Sequence, residues 1–165
     1  MELRSAGDIL GRLIEVVANN GEMLLNLSPK ADGTIPDDQR QIALKVGQWL
    51  WSFGDAIYGT RPFSVAGETL DGGQRVFYTR KDQSLFIVFL VWPGAGKTFA
   101  FHELTFARLG GRVASAQLLG LRKLEACTAV ASDRGIELTL PKNAGMPTDL
   151  ACVVRLQFSQ SLIPQ

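Results

Sequence analysis

The sequence is poor in the side chains that build metal centres and nucleophilic triads. It has one histidine, His102, and two cysteines, Cys127 and Cys152. With no second histidine and no cysteine cluster, the ligand set of a zinc or other transition-metal site is missing. A Ser-His-Asp or Cys-His arrangement would have to be built on His102, which lies in no recognisable triad motif. Two cysteines at long spacing specify no disulfide framework, and both are read as buried free thiols in apolar strands. Charge of one sign is also scarce, since 17 basic and 16 acidic residues leave a formal net charge of +1. That balance gives no field for nucleic acid or an anionic membrane surface. No apolar run nears the ~20 residues of a membrane-spanning helix, because the longest, Leu85 to Trp92, is strand-length. Met1–Ser5 lacks the form of a signal peptide. What the chain does have is a 46% hydrophobic content over 165 residues, enough for the core of one ordinary domain, with or without an appendage.

One stretch tests a nucleotide-binding function directly. Val91-Trp92-Pro93-Gly94-Ala95-Gly96-Lys97-Thr98 ends like a phosphate-cradling loop. Such a loop needs a glycine five residues before Gly96 and a helix N-terminus after the threonine, so that free backbone N–H groups close on the anion. Val91 stands in place of that glycine. Phe99-Ala100-Phe101-His102-Glu103-Leu104 alternates like a strand rather than opening a helix. The nucleotide reading therefore fails, and Pro93–Gly96 is expected to be a hairpin turn between two strands.

The chain changes character near residue 60. Ser5 and Asp8 form a capping pair, and Ile9, Leu10, Leu13, Ile14 and Val17 follow at helical spacing. Asn19-Asn20-Gly21 ends that helix, because these residues tolerate a left-handed conformation. Met23–Leu27 reads as a short apolar strand, and residues 29–33 as a turn-rich loop. Thr34 and Asp37 read as a second capping pair, opening a helix from about Pro36 to Phe53. On that helix Ile42, Val46, Trp49, Leu50 and Phe53 share one stripe. Leu44, Gly47 and Trp51 fall on the opposite side, an arrangement suited to a second, helix–helix contact. From about Pro62 onward the pattern is β. Arg75–Thr79 and Leu85–Val91 are strands, with Leu85–Val91 the most buried. Ile136, Leu138 and Leu140 alternate with polar neighbours, as do Cys152, Val154, Leu156 and Phe158 with theirs. Turn signals at residues 71–73, 93–94 and 133–135 separate these runs, as in an all-β sandwich.

The order of these pieces, with two motifs, identifies a relative. Asn20-Gly21-Glu22-Met23-Leu24-Leu25-Asn26-Leu27-Ser28-Pro29-Lys30-Ala31-Asp32-Gly33-Thr34-Ile35-Pro36, followed by Ala56-Ile57-Tyr58-Gly59-Thr60-Arg61-Pro62, closely resembles the C-terminal portion of the α-L-fucosidase family of retaining glycoside hydrolases. The resemblance covers the whole chain but only part of the family's length. It implies an α+β, mostly β fold: two N-terminal helices and one strand, the remnant of a (β/α)8 barrel end, then an antiparallel β-sandwich. Residues 1–58 would form the barrel-end remnant and residues 59–165 the sandwich domain.

The resemblance also sets the functional expectations. A retaining glycosidase needs two carboxyl groups ~5 Å apart. In this family both come from earlier barrel strands and loops, and no residue here matches a family catalytic position. The chain is expected to be a truncated, α-L-fucosidase-like segment without that pair, needing no metal and no cofactor. Asn26, at the end of the implied last barrel strand, would border the sugar pocket of a full enzyme, or simply hydrogen-bond the loop that follows it. Two alternatives remain open. One is a carbohydrate-binding or assembly module using Phe63, Tyr78 or Trp92 as stacking platforms. The other is a small stand-alone hydrolase using Asp32, Asp37, Asp38, Glu103 or Asp149, paired in an oligomer. Strand edges and helix stripes that a barrel would cover favour a homo-oligomer, with Leu44, Gly47 and Trp51 as a contact.

Overall fold

The computed structural model describes residues 4–121, 123–160 and 162; residues 1–3, part of the stretch scanned for a signal peptide, lie outside these. Helix α1 spans Ala6–Ala18 and α2 spans Asp37–Phe53, continued by a short 3₁₀ turn, Gly54–Ala56. Eight strands follow: β1 (Arg61–Thr69), β2 (Arg75–Lys81), β3 (Ser84–Phe89), β4 (Thr98–Phe101), β5 (Val113–Leu119), β6 (Leu124–Ser132), β7 (Gly135–Thr139) and β8 (Cys152–Phe158). A single helical turn, α3 (Phe106–Leu109), links β4 to β5.

The start of α1 obeys its local chemistry. Ser5 Oγ accepts from the Asp8 amide at 3.1 Å, and Asp8 Oδ2 accepts from the Ser5 amide at 3.1 Å, a reciprocal capping box. At the other end Asn20 takes φ +61°, as its tolerance of the left-handed region predicts. The second expected capping pair does not form. Pro36 occupies the N-cap of α2, and no side chain caps it. Thr34 is instead drawn to Asp32, donating to Oδ1 from its amide at 2.9 Å and from its hydroxyl at 2.7 Å. The nearer acceptor, two residues away, wins over the helix end.

The strands run antiparallel in one ladder, β1-β2-β3-β8-β5-β6-β7-β4, folded into two layers. The bend is in β6. Its first half (Leu124–Cys127) pairs with β5 and its second half (Thr128–Ser132) with β7, so it passes from one layer to the other. Between the layers lie Tyr78, Ile87, Phe89, Val154, Leu156 and Phe158 of the larger layer, against Phe101, Ile136 and Leu138 of the smaller.

The outer face of the larger layer is covered as well. Phe77, Phe86, Val88 and Val153 meet Leu10, Ile14 and Ala18 of α1 and Trp49 and Phe53 of α2 in a second core. Trp49 Nε1 donates to the Ala151 carbonyl at 2.6 Å, and Thr79 Oγ1 to the Ala56 carbonyl at 2.7 Å, so both helix and 3₁₀ turn are tied to the sheet. Cover on both faces explains why β3 reads as an unbroken apolar run, Leu85-Phe86-Ile87-Val88-Phe89, instead of alternating.

Two expected elements differ. Met23–Leu27 is an irregular segment, with Leu24 87% exposed. An isolated extended run has no ladder to satisfy its backbone, and no described strand lies alongside this one. Pro93–Gly96 is not a hairpin turn. It carries the chain between layers, from β3, which pairs with β2 and β8, to β4, which pairs only with β7. The Gly96 amide donates to the Pro141 carbonyl at 3.0 Å, docking this crossover on the segment after β7.

Candidate functional site

Apart from the neighbours Asp37 and Asp38, the acids singled out from sequence lie on separate segments, and several already have structural partners. Asp32 holds its turn through Thr34, and those hydrogen bonds keep its carboxyl below the usual range. Asp37 and Asp38 are in the first turn of α2, where negative charge suits the helix dipole, and Asp38 accepts from the Gln39 amide at 2.8 Å. Glu103 pairs with Arg108 at 3.1 Å. Asp149 sits in the loop before β8, on the rim of an open cleft of about 700 Å³ beside α1. That cleft is charge-paired: Glu15 accepts from Arg75 and Arg12, each at 3.1 Å, and Arg75 lies 5.0 Å over the Phe77 ring. These arginines, Arg75 first, hold the Glu15 carboxyl below its ordinary value. Among the described residues, no cluster of three or more His, Cys, Asp or Glu could hold a metal.

The carboxylate with the densest set of partners was not among the candidates. Glu68 on β1 accepts from the Tyr78 hydroxyl, from the His102 amide at 3.0 Å and from the Glu103 amide at 3.3 Å. Tyr78 lies on the neighbouring β2, while His102 and Glu103 follow β4, the far end of the ladder. Glu68 therefore ties the first strand to the last. Burial, then the Glu68 hydrogen bond and charge, push the Tyr78 phenol far above its ordinary value, keeping it a neutral donor. Sequence offered no clear signal for Glu68, because β1 breaks register between Pro62 and Gly67 and its alternation is lost. Glu68→Gln should cost about 1–3 kcal/mol, as a charged acceptor serving three donors is replaced by an amide. Urea unfolding of E68Q, Y78F and the double variant checks this. Non-additivity is expected, because both changes act on the one shared bond.

The aromatic platforms proposed for sugar are occupied in packing. Tyr78 is fully buried, Phe63 packs edge-on against it with ring centres 6.1 Å apart, and Trp92 is half-buried against the same core. The exposed large aromatics lie elsewhere: Trp51 is 93% exposed, with Tyr58 and Phe106 also outward. Asn26 is exposed within the irregular 22–30 segment. Leu44 and Gly47 share the exposed side of α2 with Trp51. Both cysteines are free. Cys152 is buried, its thiol pushed up to about 12, whereas Cys127 is only half-buried, its thiol pushed up to about 11, each chiefly by desolvation. The half-exposure of Cys127 departs from the expectation of two buried thiols. Its strand β6 carries a core-facing side and an open side.

Comparison with known proteins shows what the chain is similar to. The α-L-fucosidase family model matches residues 1–55. The chain is 27% identical to human tissue α-L-fucosidase over 157 residues, covering 94% of this chain and 32% of that protein. It is 36% identical to an α-L-fucosidase of Branchiostoma floridae over 90 residues, 54% of this chain and 20% of that one. The crystal structure of Thermotoga maritima α-fucosidase with a mechanism-based inhibitor superposes with a TM-score of 0.78 at 28% identity, covering 94% of this chain and 34% of the other. Sequence and fold together make the chain similar to the C-terminal portion of the α-L-fucosidases, glycoside hydrolases, as its motifs imply. It spans about a third of the length of the human and Thermotoga proteins.

Proposed function

We propose that this chain is a non-catalytic, C-terminal segment of an α-L-fucosidase-like glycoside hydrolase. Residues 1–58 form the end of the barrel and residues 59–165 its supporting sandwich. The substrate class is carbohydrate, and the catalytic carboxylate pair belongs to parts of the family's barrel that this sequence does not contain. The observation that carries this reading is the state of the chain's own acids. A retaining pair must stand ~5 Å apart and open to a sugar. Glu68 and Glu103 are neighbours, the Glu103 amide donating to Glu68 at 3.3 Å, but Glu68 already serves three protein donors and Glu103 is held by Arg108. The exposed leucines of residues 24–27, within the most family-specific motif, also support it, since they form an apolar segment awaiting cover. In the assembled barrel Asn26, in that segment, borders the sugar pocket.

Hydrolysis of aryl α-L-fucoside and β-D-galactoside by the purified chain tests the proposal against a mock-purified control. No turnover above the control is expected. Turnover that tracks the protein peak would overturn the reading and make Glu68, Glu103 and Asp149 the first alanine targets.

A further inference from the structure

The interlayer face of β2 ends in charge. Val76 and Tyr78 point into the core between the layers, and alternation puts Arg80 on the same face. Arg61 of β1 is the direct cross-strand partner of Arg80, so the two guanidinium groups share that face. Like charges set opposite each other in an antiparallel pair are destabilising. Among the described residues neither arginine forms an ion pair. Arg80 Nε donates to the Pro62 carbonyl at 3.0 Å, and its two Nη groups donate to no described residue. Arg61 reaches only the Thr60 carbonyl, at 3.5 Å.

A third guanidinium joins them. Arg108 of α3 lines one cleft of about 460 Å³ together with Arg61, Arg80, Ser64 and Asn20. Glu103 offsets the Arg108 charge at 3.1 Å, and among the described residues no Asp or Glu lines the cleft. Two uncompensated positive charges therefore face it, with a hydroxyl and an amide as further donors. The cleft beside α1 differs, because there Glu15 accepts from both Arg12 and Arg75.

We propose that this cleft binds a phosphate-type dianion, as free phosphate or as the phosphomonoester of a small molecule. Two charges on the ligand match the two left open on the protein. Guanidinium forks fit the edges of a tetrahedral oxyanion and make short, charge-assisted hydrogen bonds to it. An anion between Arg61 and Arg80 turns their mutual repulsion into attraction. A water occupies ~30 Å³, so the cleft has room for a group beyond the anion, against the apolar wall of Pro62 and Phe63. Apart from Asn20, the polar lining comes from residues 59–165, and it is charged where the segment awaiting cover, residues 24–27, is apolar. The inference stands or fails separately from the glycosidase reading.

Calorimetric titration of the 165-residue chain with inorganic phosphate is the first test. The titration is run near pH ~8, where phosphate and its monoesters carry close to two charges, at an ionic strength fixed by chloride. One-to-one binding with a dissociation constant of about 1 mM or tighter is expected, the strength of a few charge-assisted hydrogen bonds. A weaker or non-saturating response overturns the proposal. Arg61→Gln and Arg80→Gln should each weaken binding about tenfold or more. Arg12→Gln, in the charge-paired cleft beside α1, should leave it unchanged. Equal losses in all three would make net charge the attractant and overturn the site, as would unchanged affinity in Arg61→Gln or Arg80→Gln. A hexose 6-phosphate and the neutral hexose follow. Binding of the ester tighter than that of phosphate assigns the cleft to a phosphorylated small molecule. Binding no tighter assigns it to the free anion. A neutral hexose that binds as well as its ester overturns the charge argument. Urea unfolding without anion separates lost binding from misfolding. There Arg61→Gln should be no less stable than the parent chain, since it removes one of two facing like charges.

Discussion

Gly135→Ala should destabilise the chain by roughly 2–5 kcal/mol, combining backbone strain with a steric clash. Gly135 opens β7 directly after the two-residue connection from β6, with φ +124°, a region that L side chains rarely enter. Space is the harder constraint. A Cβ there would stand 1.9 Å from the Phe101 carbonyl oxygen and 2.9 Å from its carbon. Those are backbone atoms of β4, which pairs with β7 from Phe101↔Ile136 to Thr98↔Thr139. They cannot swing aside as a side chain could, so β4 must shift away from β7. Glu68 would feel the shift, since it binds the amides of His102 and Glu103 immediately after Phe101. Gly33→Ala is the control. Its φ of +84° carries a comparable conformational penalty, but its surroundings are open. Only the backbone term of about 1–2 kcal/mol is expected there. Urea unfolding midpoints of the two variants measure the contrast, and equal losses would refute the clash.

Trp49→Ala should cost about 3–5 kcal/mol, in the range for deleting a large buried aromatic. Trp49 is 2% exposed, its ring centre lies 5.4 Å from that of Phe53, and it packs in the core between α2 and the outer face of the sheet. Its indole N–H is also the donor to the Ala151 carbonyl, next to the first residue of β8. Trp49→Phe keeps much of the ring but orphans that carbonyl, for about 1–3 kcal/mol. Two positions along, Trp51→Ala should change stability by no more than about 0.5 kcal/mol when measured on the monomer, because a solvated side chain has little burial to lose. Hydrogen exchange adds a spatial test. In Trp49→Ala the amides of α1 and α2 should lose protection before those of β3 and β8, whose other face keeps the sandwich core. Uniform loss across the chain would mean that helices and sandwich open as one unit.

These two tryptophans show how far the chain explains itself in one dimension. Helical spacing separates Trp49 from Trp51 and puts Trp49 with Val46 and Phe53 on the buried side, as found. The Ser5–Asp8 box, the left-handed Asn20, the alternation of β7 and β8 and the apolar run of β3 were all legible for the same reason. Each depends on residues within a few positions of one another, or on a periodicity that burial imposes. The family motifs were legible too, since they are contiguous. The failures share an opposite cause. Met23–Leu27 has a strand's composition but no neighbour to pair with. Pro93–Gly96 has a hairpin's residues, yet its flanking strands belong to different layers. Thr34 had two acceptors to choose from, and the closer one took it.

The sequence by itself determined the capped start and left-handed end of α1, the buried side of α2, the apolar run of β3, the alternation of β7 and β8, and the likeness to the α-L-fucosidases, because capping, periodicity and motif are local chemistry. Only the tertiary structure decided what those faces meet. It turned the aromatics proposed for sugar into core, put α1 and α2 on the outside of the sheet, and made Glu68 the tie between the first and last strands of the ladder. It also left Leu44, Gly47 and Trp51 on the exposed side of α2. Such outcomes follow from which distant segments come within a few ångströms of each other, a property of the folded chain as a whole.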